Sequence, residues 1–198
     1  MALSASILAN LIQTNLQNFG AKGNNLTKFC NAIATGVVTS IVGQSFTTLD
    51  TGTITGSGTG TGIGITGLSA SDMEQIALSL MSSRGSNAAN LMNAIMNAVV
   101  THLSNATTLM TIDAPVYLGT GTIVIGSFTI TASEMGHNID SQLALQGAIG
   151  SNRTQLANVI AAGIVENILS SGTGTLVITG SGSPPPLSGT GTGIGTLS

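Results

Sequence analysis

The chain has 198 residues, of which only four are Lys or Arg and seven are Asp or Glu, and its mean hydropathy is +0.46. That balance excludes a disordered, charge-swollen chain, and a net charge of −3 excludes a broad electrostatic grip on nucleic acid. Charged residues make up 6% of the chain against roughly 25% in soluble domains, so the composition favours a surface covered by copies of itself or by partners.

The first predicted element is a helix that starts after "LSAS" (3–6), with Ile7, Leu8, Leu11, Ile12, Leu16 and Phe19 at helical spacing. The opening residues carry no Lys or Arg, so no secretory leader is expected. A Gly/Asn turn, "GAKGNN" (20–25), leads into a second helix on which Phe29, Ile33, Val37 and Ile41 recur every four residues. The apolar run around 29–42 is too short for a membrane span, and Asn31, Thr35, Gly36 and Ser40 interrupt it. Cys30, the only cysteine, reads as a small core residue.

The chain then changes period. "TLDTGTITG" alternates β-branched or apolar residues with small ones, and "GTGTGIGITGLSAS" (58–71) alternates Gly with Thr or Ile. A strand hairpin is expected, its second strand carrying Gly58, Gly60 and Gly62 on one face.

The same phrases return in the same order. "LSAS" recurs at 68–71 and "ITAS" at 130–133; "FCNAIATGVVTSI" (29–41) aligns without gaps with "LMNAIMNAVVTHL" (91–103) and "LANVIAAGIVENI" (156–168). Gly-Thr tracts follow at 119–122 and 189–195, and "SPPPL" (183–187) reads as a rigid turn. Several landmarks in one order indicate triplication. The expected fold class is α+β: three tandem helix-helix-strand-strand repeats at 3–67, 68–129 and 130–198, packed side by side. A unit of this size is marginal alone, so unit-to-unit burial must supply stability. The tract glycines Gly58, Gly60, Gly62, Gly119, Gly121, Gly189, Gly191 and Gly193 are the candidate assembly surface, since a glycine face suits close approach of another sheet or backbone.

Every basic residue, Lys22, Lys28, Arg84 and Arg153, falls in or beside an inter-helix turn, while Asp72, Glu74, Glu134 and Asp140 lie near the starts of first helices. Helix dipoles account for much of this; the functional alternative is head-to-tail stacking. No catalytic set emerges. The tract glycines fall at every second position, which is not a dinucleotide fingerprint, and no phosphate-loop motif is present. His102 aligns with Ser40 and Asn167, and three different residues at one place suggest an exposed face. His137 beside Glu134 and Asp140 is a weak metal cluster. No enzyme activity, cofactor or metal is expected.

The helix pattern carried by 29–41 and its two copies, with Thr/Gly tracts of the "GTGTGIG" kind and a new "LSAS" or "ITAS" helix after each, resembles virion structural proteins of tailed bacteriophages. The resemblance covers the whole chain. It implies a multi-copy particle component of the neck, tail or capsid surface, made in the host cytoplasm, with itself and other virion proteins as partners and with neither nucleic acid nor membrane. A secreted or cell-surface adhesin-like repeat protein is the alternative, and a particle-borne cell-wall enzyme would need an acid or metal centre that the sequence does not display.

Overall fold

The computed structural model describes residues 3–53, 58–81, 86–105, 110–114, 118–124, 129–171, 174–182 and 188–197, with side chains at 3–44, 65–81, 87–105 and 129–170. The proline segment 183–187 and residues 82–85 of the second inter-helix turn lie outside the described residues. In order the elements are α1 (Ala5–Asn18), α2 (Leu26–Ile41), β1 (Ser45–Thr53), β2 (Gly58–Thr66), α3 (Ala70–Leu80), α4 (Ser86–Ser104), β3 (Met110–Ala114), β4 (Leu118–Val124), α5 (Ala132–Leu145), α6 (Arg153–Ser171), β5 (Gly174–Gly182) and β6 (Ser188–Leu197).

The first helix of each set starts at a hydroxyl cap. Ser4 accepts from the Ile7 amide at 3.5 Å, Ser69 from Asp72 at 3.2 Å and Thr131 from Glu134 at 3.2 Å. Each hydroxyl satisfies one amide that the first turn leaves without a helical partner. Four residues into each helix stand Leu8, Met73 and Met135, and one turn later Ile12, Ala77 and Ile139; all six are buried. α1 and α5 also stop alike. Gly20 and Gly147 take φ of +86° and +80°, and the next amide reaches back to the helix, Ala21 to Leu16 O at 3.0 Å and Ala148 to Leu143 O at 2.9 Å. A left-handed residue is needed there, and glycine adopts it without a Cβ penalty.

The stripe on the second helices points inward. Ile33, Val37 and Ile41 are buried, as are Ile95, Val99 and Leu103, and Ile160, Ile164 and Ile168. Phe29, Leu91 and Leu156, which begin the three runs, are only partly buried. Burying one such side chain contributes roughly 1.5–3 kcal/mol.

The helices form one closed ring. Each packs against its neighbours in sequence, and α6 returns to α1. The small residue of each second helix sets how near the next unit comes: a Cβ on Gly36 would lie 2.8 Å from the Met73 carbonyl oxygen in α3, and one on Gly163 2.8 Å from Ile12 Cγ1 in α1. The strands close as well. All six pair antiparallel in the order β1 to β6, and β1 also pairs with β6. Each hairpin leaves the end of the ring where a second helix stops and the next first helix begins, so the barrel stands on that end and the inter-helix turns lie at the other.

The expected α+β class of three units packed side by side is corrected by this arrangement. Where side chains are described, 76% of residues are helical and the packed body is a ring of six helices. Of the strand residues with described side chains, Ile65 alone joins the core. The sequence unit is also not a packing unit: α2 lies against α3 as extensively as against α1. A helix pair with a hairpin has too little apolar surface to close on itself. Helices therefore bury against helices all round, and strands satisfy their backbone groups against strands.

Candidate functional site

All eight nominated glycines lie in barrel strands: Gly58, Gly60 and Gly62 in β2, Gly119 and Gly121 in β4, and Gly189, Gly191 and Gly193 in β6. Within each strand they sit two apart and so share a face. The register joins several of them across the sheet, since directly opposed residues lie on the same face. Gly58 and Gly189 both oppose Gly52; Gly62 and Gly193 both oppose Thr48; Gly119 opposes Ile178. Each tract strand is paired on both sides within the chain. Two acidic residues share this face. Asp50 lies between Gly60 and Gly191, and Asp113 between Gly58 and Gly121. Positions 50 and 113 thus share a register face of the sheet with the tract glycines, a juxtaposition that spacing along the sequence does not reveal.

A second cluster lies where ring meets barrel. His102 is 9% exposed, and its Nε2 accepts the backbone N–H of Thr131, the cap of α5, at 3.3 Å. The ring is therefore neutral, with its proton on Nδ1. Burial holds its pKa below the usual 6.5, against a smaller upward pull from Glu134. Asn167, at the same place in α6, is 1% exposed with neither side-chain atom hydrogen-bonded, and the Ser40 hydroxyl in α2 is likewise buried and unpaired. The expectation that these three positions face solvent is corrected: His102, Asn167 and the Ser40 hydroxyl are buried near the C-terminal ends of the second helices, and His102 reaches the start of α5. Their chemical variety reflects three different junctions.

The other singled-out side chains do not assemble into a reactive centre. Asp140 is gripped by Arg153, with Nε to Oδ1 at 2.8 Å and Nη2 to Oδ2 at 3.1 Å, and accepts from the Thr154 hydroxyl at 3.0 Å. Those bonds hold the Asp140 carboxyl below its ordinary range. They also commit the carboxylate that would have joined His137 and Glu134. Among the described residues no group of three His, Cys, Asp or Glu is placed to hold a metal. Cys30 is buried, and burial pushes its thiol up to about 11. No helix among the described residues is long and apolar enough to cross a membrane.

The turn end of the ring carries features that the sequence reading passed over. Phe19, which fits the helical spacing of the first helix, is 60% exposed, Leu145 79% and Ile149 94%. Phe19 is the C-cap of α1 and so stands beyond the packed stripe. Phe19 and Ile149 rim an open hollow of about 580 Å³ whose floor includes Leu16, Leu91, Leu143 and Leu156. Leu91 and Leu156 are matching first members of their stripes. A smaller hollow of about 440 Å³ at the same end is lined by Lys22, Lys28, Phe29 and Met81. Bulky apolar residues inside the Gly-rich turns, Ile149 above all, were the available signal.

No family model matches the chain, and no curated protein or solved structure is significantly similar to it.

Proposed function

We propose that the protein is a non-enzymatic structural component of a tailed-phage particle, present in many copies and built into the neck, tail or head surface. The observation that carries the reading is the pairing of a self-contained ring and barrel with a turn end where Phe19 and Ile149 stand in the open around a largely apolar hollow and Leu145 is exposed as well. A free monomer with 6% charged residues is poorly protected there against association. An assembly that covers this end uses the same surface productively.

The resemblance of the repeats to virion proteins supplies the setting, and host cytoplasm is the proposed place of synthesis. The test has two parts. Negative-stain microscopy and sedimentation of the purified protein should give regular oligomers. Mass spectrometry of purified particles should find the chain at fixed stoichiometry with the major particle proteins. A monodisperse monomer absent from particles overturns the proposal, and recovery from the cell envelope favours an adhesin-like role.

A further inference from the structure

We infer that α1 is a strap that opens from α6 while the other five helices and the barrel stay closed. The inference is independent of the multi-copy reading, which sedimentation and particle composition decide. It comes from comparing the three places where a second helix meets the next first helix: α2 with α3, α4 with α5, and α6 with α1.

Gly163 of α6 packs close to α1, where an added Cβ would meet Ile12 and Leu8. Asn167 lies one turn further along the same stripe, as Ser40 follows Gly36 and His102 follows Ala98. At the α4–α5 seam His102 holds the Thr131 amide at 3.3 Å. At the α6–α1 seam Asn167 is buried with neither its oxygen nor its nitrogen hydrogen-bonded. The α1 cap is weaker too. The Ser4 bond is 3.5 Å long, outside the usual N–H···O range of roughly 2.7–3.2 Å, whereas Ser69 and Thr131 bond at 3.2 Å. α3 and α5 carry Asp72 and Glu134 in their first turns, where an acid complements the helix dipole. α1 has no acid there, and Ile7 stands in that place, 39% exposed.

Two further features set α1 apart. β2 runs into α3 and β4 into α5, so both helices start from a strand that is paired on each side. β6, the matching strand, does not run into α1. A hollow of about 500 Å³ also lies between α1 and α6, with Asn15 and Phe19 on one wall and Gln155, Val159 and Ala162 on the other. The Ser40 hydroxyl is unpaired as well, but at that seam α3 keeps its acid, its shorter cap bond and its strand. Closed, α1 is held by Leu8, Ile12 and Leu16, all buried. What it lacks is an anchor at its start and a filled wall against α6 near its end. Opening bares that stripe and the α6 face that receives it, two matching apolar surfaces that the closed ring hides.

Hydrogen exchange of the full chain, resolved to single amides by fragmentation mass spectrometry, tests the strap. A helix of 14 residues is marginal alone in water, so an α1 that has left α6 loses its amide protection. After correction for intrinsic rates, we expect the amides from Ile12 to Leu16 to exchange together. They should do so about tenfold or more faster than those from Ile139 to Leu143 in α5, a helix of the same length. The α2 amides from Ile33 to Val37 should stay protected. Ile7→Glu, which gives α1 the acid that α3 and α5 possess, should slow α1 severalfold and leave α5 unchanged. Asn167→His, which copies the α4 joint, should act in the same direction, and Ile7→Glu decides if that variant does not fold. Equal protection of α1 and α5 overturns the inference, as does exchange of α2 in step with α1. So does protection that rises steadily inward from Ser4, which is end fraying, and so does an α1 rate that Ile7→Glu leaves unchanged.

Discussion

His102 in α4 accepts the backbone N–H of Thr131, the residue that caps α5. In a reciprocal capping box the Glu134 carboxylate would take that amide. Here the Thr131 hydroxyl and Glu134 carboxylate lie 3.1 Å apart and the histidine serves the amide from another helix. The local signal thus became a joint between the second and third repeats. Replacing His102 by Ala should cost about 1–3 kcal/mol through the stranded amide. The pH dependence follows from the lowered pKa. Below about 6.5 the unfolded chain binds a proton that the folded chain resists, so stability falls from pH 6.5 down to the folded-state value and then levels. Urea unfolding across this range should show the decline in the native protein and not in His102→Ala.

Asn167 presents the opposite case, a buried amide with no partner. Its desolvation is uncompensated, which costs on the order of 1–3 kcal/mol. Asn167→Leu, similar in size, should raise the thermal midpoint by several degrees in calorimetry. A drop would show that the amide is satisfied in solution.

Gly36 and Gly163 occupy matching places in α2 and α6, yet their surroundings differ. A methyl at 36 meets a backbone carbonyl, whereas at 163 it meets first the Cγ1 of Ile12. Ala gains up to about 1 kcal/mol over Gly in a helix, and a fixed carbonyl at 2.8 Å overrides that gain. Gly36→Ala should therefore destabilise by about 1–3 kcal/mol. Gly163→Ala should fall well short of that, because a side chain yields more readily than a backbone. Paired denaturation curves decide the order.

Cys30 should behave as an inert thiol. Burial and a pKa of about 11 leave little thiolate at neutral pH. Reaction with a disulfide reagent should be slow in the native protein and immediate in denaturant. Rapid native labelling would mean that α2 opens readily.

Gly62 tests the tract. It opposes Thr48, which opposes Gly193 on the other side. Gly62→Val should impair oligomer formation in sedimentation while leaving the helix signal by circular dichroism nearly unchanged, because the helices draw their burial from one another. Loss of helix signal would show that the barrel supports the ring.

What could be read from the sequence was what local periodicity controls. The four-residue stripe through Ile33, Val37 and Ile41 marked the buried face of α2, and Thr131 and Glu134 marked a helix start. Periodicity reports that a face is apolar, not which neighbour will cover it, so the closure of six helices into one body could not be seen. Nor could the pairing of Asp50 with Gly191, since that register joins strands more than a hundred residues apart. The polar variation at Ser40, His102 and Asn167 resembled surface drift because junctions between similar repeats need not be chemically alike. Phe19 fitted the helical spacing but falls on the C-cap, one residue past the end of α1, and is mostly exposed.

The join between β1 and β6, repeated in the helices by α1 and α6, fixes the number of copies of the motif. An open array lengthens or shortens by a repeat and keeps its contacts. Here, excising one would bare two helix flanks and two strand edges, and inserting one would force a wider barrel under a wider ring. Individual residues are free to diverge, as the three junctions have done, while the count of three is held by geometry.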